Sequence, residues 1–215
     1  MSYTDFTSLA KVRKDLGLEF HDVSHLFGHF SPIGLSQRLQ ETLTENLELA
    51  VAISTEKARS ELLVTPILLE VRRMCHNQIG FFSGIDFTVD SSLGLNGACD
   101  YLLTAKAEQS LITAPVMTLV EAKNDLIKNG LGQCVAQMYV AWLFNEREGT
   151  PQETVYGAVS TGTNWKFLQL QNAQVKIDPS EYYITQIDQI LGILVNSLHP
   201  HLLATSVIGN QIKAG

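Results

Sequence analysis

The chain has 215 residues, 45% hydrophobic and 17% charged, with a formal net charge of −7. That length suits one domain with a substantial core, and no run of about 18 uncharged apolar residues suggests a membrane span. The acidic balance argues against a general nucleic-acid coat, whose affinity rests on many Lys and Arg contacts to phosphate. It leaves room for a local cleft where a divalent cation offsets acidic groups.

The N-terminus, MSYTDFTSLAKVRKDLG, lacks the apolar run of a secretory signal, and the three cysteines Cys75, Cys99 and Cys134 cannot all pair within one chain. A reducing, cytoplasmic setting is expected. In HDVSHLFGH, His21, His25 and His29 recur at four-residue steps, which on a helix would stack three imidazoles on one side as metal ligands. The competing reading is a helix or loop whose histidines cap or pack.

Ser31 as N-cap and Pro32 in the first turn predict a helix carrying Leu35, Leu39, Leu43, Leu47 and Val51 on one face. A second helical stretch, STEKARSELLVTPILLEVRRMC, puts Leu63, Ile67 and Val71 on one stripe and Pro66 at a kink or restart. IGFFSGIDFTVD, NGACDYLLTA and APVMTLVEAK then read as three strands of an antiparallel meander. GLGQCVAQMYVAWLFNERE is a helix with Leu131, Val135, Met138 and Trp142 at helical spacing; ETVYGAVSTGTNWKFLQLQ reads as two strands, and SEYYITQIDQILGILVNSL as a closing helix. The order predicts an α/β fold, a central mixed β-sheet flanked by helices. Residues 1–54 would be an N-terminal helical extension packed on a core formed by residues 55–215.

Side chains alternate along a strand, so in TLVEAKND Leu119, Glu121 and Lys123 share one face while Val120 and Ala122 take the other. Asp100, in GACDYLL on the preceding strand, can meet Glu121 if the strands pair, and two carboxylates so placed repel unless a cation or proton separates them. Mg²⁺ favours such oxygen ligands and keeps several waters, one of which can be a nucleophile. Lys123 adds a positive charge able to orient that water or stabilise charge developing on a scissile phosphate. The alternative for an exposed strand-end Glu and Lys is a solvated face.

Asp100 followed by Glu121-Ala122-Lys123 resembles the core of the PD-(D/E)XK nuclease superfamily, with Ala98-Cys99 standing where a Pro would precede the Asp. Gln133 and Gln137, one turn apart on the next helix, match the glutamine that this superfamily uses to contact substrate or brace the site. EKARSELLVTPILLEV resembles the helix preceding the sheet in nuclease domains of type I restriction subunits, where a helical Glu joins the metal site, and YGAVSTGTNWKFLQL resembles their later strand pair. The likeness covers residues 55 to 170. It implies a restriction-endonuclease-like core, Mg²⁺ dependence with Mn²⁺ as substitute, and phosphodiester hydrolysis of nucleic acid, DNA favoured over RNA.

On that resemblance Asp100 and Glu121 are metal ligands, Lys123 is the catalytic lysine and Gln133 and Gln137 bind substrate. Glu56 or Glu61 completes the metal site; Glu70 is a third candidate, and an ordinary exposed helix charge is the alternative for each. A homodimer would let two subunits reach both strands of a duplex. The rival reading is a catalytically inactive nuclease-fold domain that binds partners within a larger assembly.

Overall fold

A computed structural model of the chain describes residues 2–90 and 95–198. Hydroxyl side chains cap its first three α-helices. The Ser8 side chain accepts the Lys11 amide at the head of α1 (Leu9–Leu16), and Gly17 at φ 68° ends that helix. Strand β1 (Glu19–Asp22) follows. Helix α2 (Gln37–Ile53) begins at Ser36, whose hydroxyl accepts the Leu39 amide, so the expected cap at Ser31 is displaced and Leu35 lies outside the helix. The leucine stripe also drifts, because each four-residue step advances about 40° beyond a full turn. Leu39 and Leu43 are buried, Val51 is 45% exposed, and Ala50 takes the core-facing position instead.

Thr55 caps α3 (Glu56–Arg59), which runs through a single π-turn (Ser60–Val64) into α4 (Thr65–Met74). Pro66 explains the widened turn: it has no N–H to give the Leu62 carbonyl, and its ring crowds that carbonyl. The Thr65 amide reaches back to the Ser60 carbonyl, and Asn46 Nδ2 of α2 donates to the Leu62 carbonyl at 3.0 Å. Leu63, Ile67 and Val71 are fully buried, as their spacing predicts.

Strands β2 (Gly80–Asp86), β3 (Ala98–Thr104) and β4 (Val116–Ala122) form the antiparallel meander. Helix α5 (Leu131–Arg147) carries the chain to β5 (Val155–Ser160), parallel to β4, and β6 (Asn164–Gln171) returns antiparallel. Strand β7 (Gln174–Ile177) is unforeseen in the sequence; it pairs with β6 through a tight turn at Asn172 and Ala173, with φ of 50° and 61°. Tyr182 and Tyr183 form β8 on β6, so the last helix, α6 (residues 187–198), starts later than the sequence suggests.

Among the described residues the sheet is mixed and open, eight strands in the order β1-β7-β6-β5-β4-β3-β2 with β8 beside β6. The N-terminal segment is therefore not helical throughout, since β1 pairs in parallel with β7 at the sheet edge. This also separates the three histidines: His21 lies on β1, His25 sits in a turn at φ 56°, and the His29 ring packs on Phe30. They share no helix face.

Strand alternation divides the core into two apolar layers. Leu102, Leu119 and Val159 pack with Val135 and Met138 of α5 on one face, while Val120 and Ala158 pack with Leu63, Ile67 and Leu194 on the other. Asn145, fully buried on α5, ties helix to sheet: its Oδ1 accepts the Val116 amide at 2.7 Å and its Nδ2 donates to the Val116 carbonyl at 2.8 Å. Replacing Asn145 with Ala leaves both backbone groups unpaired and should lower the unfolding free energy by about 2–4 kcal/mol. Urea titration checks this, and an unchanged midpoint contradicts it.

Candidate functional site

The register of β3 against β4 sets the site. Tyr101 pairs with Val120 and Leu102 with Leu119, so one step further along the ladder Asp100 stands across from Glu121. Asp100 Oδ2 accepts the Ala122 amide at 2.8 Å. Glu121 is fully buried, in the layer that faces α5. Its Oε1 accepts Lys123 Nζ at 2.6 Å and its Oε2 accepts Gln137 Nε2 at 3.0 Å. Lys123 follows β4 directly, and its amide donates to the Ser160 carbonyl at 2.8 Å, placing the cluster at the C-terminal ends of the parallel pair β4 and β5. Ligands in open α/β sheets commonly sit beyond the strands' carboxyl ends.

Electrostatics follow from burial. Loss of solvent, then the nearby Asp100 charge, push the Glu121 carboxyl up to about 7, although Lys123 and Gln137 pull the other way. Burial also raises Asp100, against the Ala122 amide and Lys123. For Lys123 burial favours the neutral amine, yet Glu121, Glu56 and Asp100 together hold it above the usual ammonium value. The site thus has two carboxylates, one dedicated ammonium and too little positive charge.

Glu56 reaches this centre through the lysine, its Oε2 lying 3.8 Å from Lys123 Nζ. Glu61 lines the same cleft as Glu56 and Asp100, but its exposed side chain pairs with Lys57 at 2.7 Å rather than with Lys123. Glu70 is buried elsewhere, paired with Arg73 and accepting the Ser36 amide at 3.1 Å, so it serves the start of α2. Gln137 braces Glu121, whereas Gln133, a turn earlier on α5, is half-buried and makes no hydrogen bond to the cluster. Among the described residues no three His, Cys, Asp or Glu side chains form a ready-made metal cage. Asn124 and Asp125 are exposed, and Asp125 accepts the Leu126 amide as part of the turn.

Three contributors escape residue-type reasoning. The Ser160 carbonyl acts through backbone and leaves no mark in composition. The Tyr101 hydroxyl bonds Ser60 and Thr65 at the π-turn, on the wall of a cleft of about 260 Å³ that also includes Glu56, Ser83 and Asp100. Gly130, ahead of α5, provides room: a Cβ there would lie 2.7 Å from Val159 Cγ1, 3.1 Å from Lys123 Cγ and 3.3 Å from Glu121 Cγ. A glycine beside a polar strand end is the one clue the sequence offers.

No protein-family profile matches the chain, and no curated protein matches it in sequence. No helix among the described residues is long and apolar enough to cross a membrane.

Because Glu121 holds its proton more tightly when folded, with a value near 7 against an ordinary 4.5, its contribution to stability is full below pH 4.5 and is lost as pH rises through 7. Glu121→Gln removes the charge, keeps one oxygen to accept from Lys123, and can bond Gln137 once that amide turns to present its unpartnered Oε1; it should therefore be more stabilising at pH 8 than at pH 4.5, by roughly 1–3 kcal/mol. Chemical denaturation at the two pH values measures this; a benefit independent of pH would contradict it. Gly130→Ala should cost about 1–3 kcal/mol by crowding Val159 and the roots of Glu121 and Lys123. A wild-type melting temperature would show that the pocket yields freely.

Proposed function

We propose that the protein is a Mg²⁺-dependent nuclease of the restriction-endonuclease-like class that hydrolyses phosphodiester bonds, with DNA the favoured substrate. The observation that carries this is the pair of buried Glu121 and half-buried Lys123, 2.6 Å apart, set across the ladder from Asp100 at the end of β4. The surrounding order supports it: a helix bearing Glu56 precedes the meander, a helix bearing Gln137 follows it, and a strand pair comes after.

The donor set fits a hard divalent cation. Mg²⁺ is held by one or two carboxylates together with waters and substrate phosphate, so a complete protein cage is not required. Asp100 and Glu121 would hold it, and Gln137 Oε1, buried without a partner beside Glu121, shows polar capacity unused within the chain. When bound, the ion supplies Lewis acidity and neutralises phosphate charge.

The remaining roles belong to the chain itself. Lys123 stays protonated beside Glu121 and Glu56 and donates hydrogen bonds to phosphate oxygens as negative charge grows on them. Gln137 fixes the orientation of Glu121, and the Ser160 carbonyl fixes the backbone of Lys123. The wild-type protein should cut members of a labelled DNA and RNA panel in Mg²⁺ or Mn²⁺, and Lys123→Ala should lose about 10²–10⁴ of that rate. By calorimetry, cation binding should survive in Lys123→Ala and vanish in Glu121→Ala. No cleavage and no cation binding by the wild type would favour a non-catalytic nuclease-fold interaction domain.

A further inference from the structure

Beside this site lies a cation that the chemistry above leaves unused. Arg59 ends α3, one turn from Glu56. Its Nη1 donates to the Thr161 carbonyl at 3.2 Å and to Thr163 Oγ1 at 3.4 Å. Thr161 directly follows β5, whose last residue, Ser160, accepts the Lys123 amide. One helical turn therefore lays Glu56 against Lys123 and Arg59 against the next residue along the same parallel ladder.

Of the other basic side chains on this helical run, Lys57 pairs with Glu61 and Arg73 with Glu70, while Arg72, two turns beyond the π-turn, gives its Nη1 to Asn77 Oδ1 and touches none of the site residues. Arg59 has no carboxylate within ion-pair distance among the described residues. Its Nε is buried without an acceptor, while its Nη2 bonds nothing among the described residues and is not enclosed as Nε is. In a chain with 22 acidic and 15 basic residues, a guanidinium beside the site, paired with no carboxylate among the described residues and steadied by a carbonyl and a hydroxyl, is prepared for an external anion. The anion must also tolerate Glu56, Asp100 and Glu121, which a polyanionic strand does only where fixed cations meet its phosphates.

We propose that Arg59 grips a phosphate of the nucleic-acid strand next to the one cut, with Nη2 donating to its non-bridging oxygens. The substrate class rests on the nuclease reading, but the test does not depend on cleavage. Binding of a fluorescein-labelled single-stranded oligonucleotide would be followed by anisotropy in Ca²⁺ over a range of NaCl, for the wild type, Arg59→Gln, Arg59→Lys and Thr163→Val. Arg59→Gln should bind about tenfold more weakly and lower the slope of log K against log salt by about one, the mark of a lost phosphate contact. Arg59→Lys and Thr163→Val should keep the wild-type slope.

A wild-type slope in Arg59→Gln overturns the assignment, because an arginine that only pins the Thr161–Thr163 turn would alter the melting temperature and not the counterion count. Should Arg59→Gln fail to fold, phenylglyoxal modification of Arg59 in the wild type, read by peptide mass spectrometry, decides: slowing by oligonucleotide supports the contact, and an equal rate refutes it. The slope change without any cleavage in Mg²⁺ or Mn²⁺ would sink the nuclease reading and leave Arg59 as an anion contact. Cleavage with an unchanged slope would sink Arg59 alone, and absence of oligonucleotide binding would sink both.

Discussion

Strand β4 is buried along its whole length, and everything at the site follows from ending such a strand in a carboxylate. A charge carried this deep is costly unless it is paired and hydrogen-bonded. Glu121 gets both, from Lys123 two residues on and from Gln137 across the layer. Yet Asp100 faces the same space, so the pairing falls short of two full charges. The fold thus contains a local electrostatic imbalance held in place by regular strand pairing, which a proton on Glu121 relieves below about pH 7.

The helix above the site is shaped by a different constraint. Pro66 widens one turn, and the widening sets how Glu56 and Arg59, before it, relate to the buried stripe after it. Asn46 from α2 and the Tyr101 hydroxyl from β3 occupy polar groups around that turn, so its geometry is braced from two sides. π-turns inside α-helices occur frequently at functional sites because they re-aim neighbouring side chains. Here Glu56 before the turn and Ser60 and Glu61 within it line the cleft.

Much of this was legible in the sequence wherever periodicity and burial act together. Alternation placed Glu121 and Lys123 on one side of β4, and the meander brought Asp100 to them. The π-turn defeated the choice among helical carboxylates, since regular spacing cannot foresee a change in angle between Glu56 and Glu61. Gln133 and Gln137 looked equivalent by spacing, but only Gln137 stands level with Glu121. Strand β7 was hidden because its tight turn uses Asn172-Ala173 at positive φ, without the glycine that usually marks a two-residue hairpin. Strand β1 is four residues long with Glu19, His21 and Asp22 exposed, a pattern without an apolar signature.

That same short strand bears on how the molecule keeps company. The free side of a terminal strand offers unpaired backbone groups to any passing strand, and brevity together with charge discourages such addition. With Glu19 and Asp22 on its exposed rim, β1 closes the sheet against growth from that end.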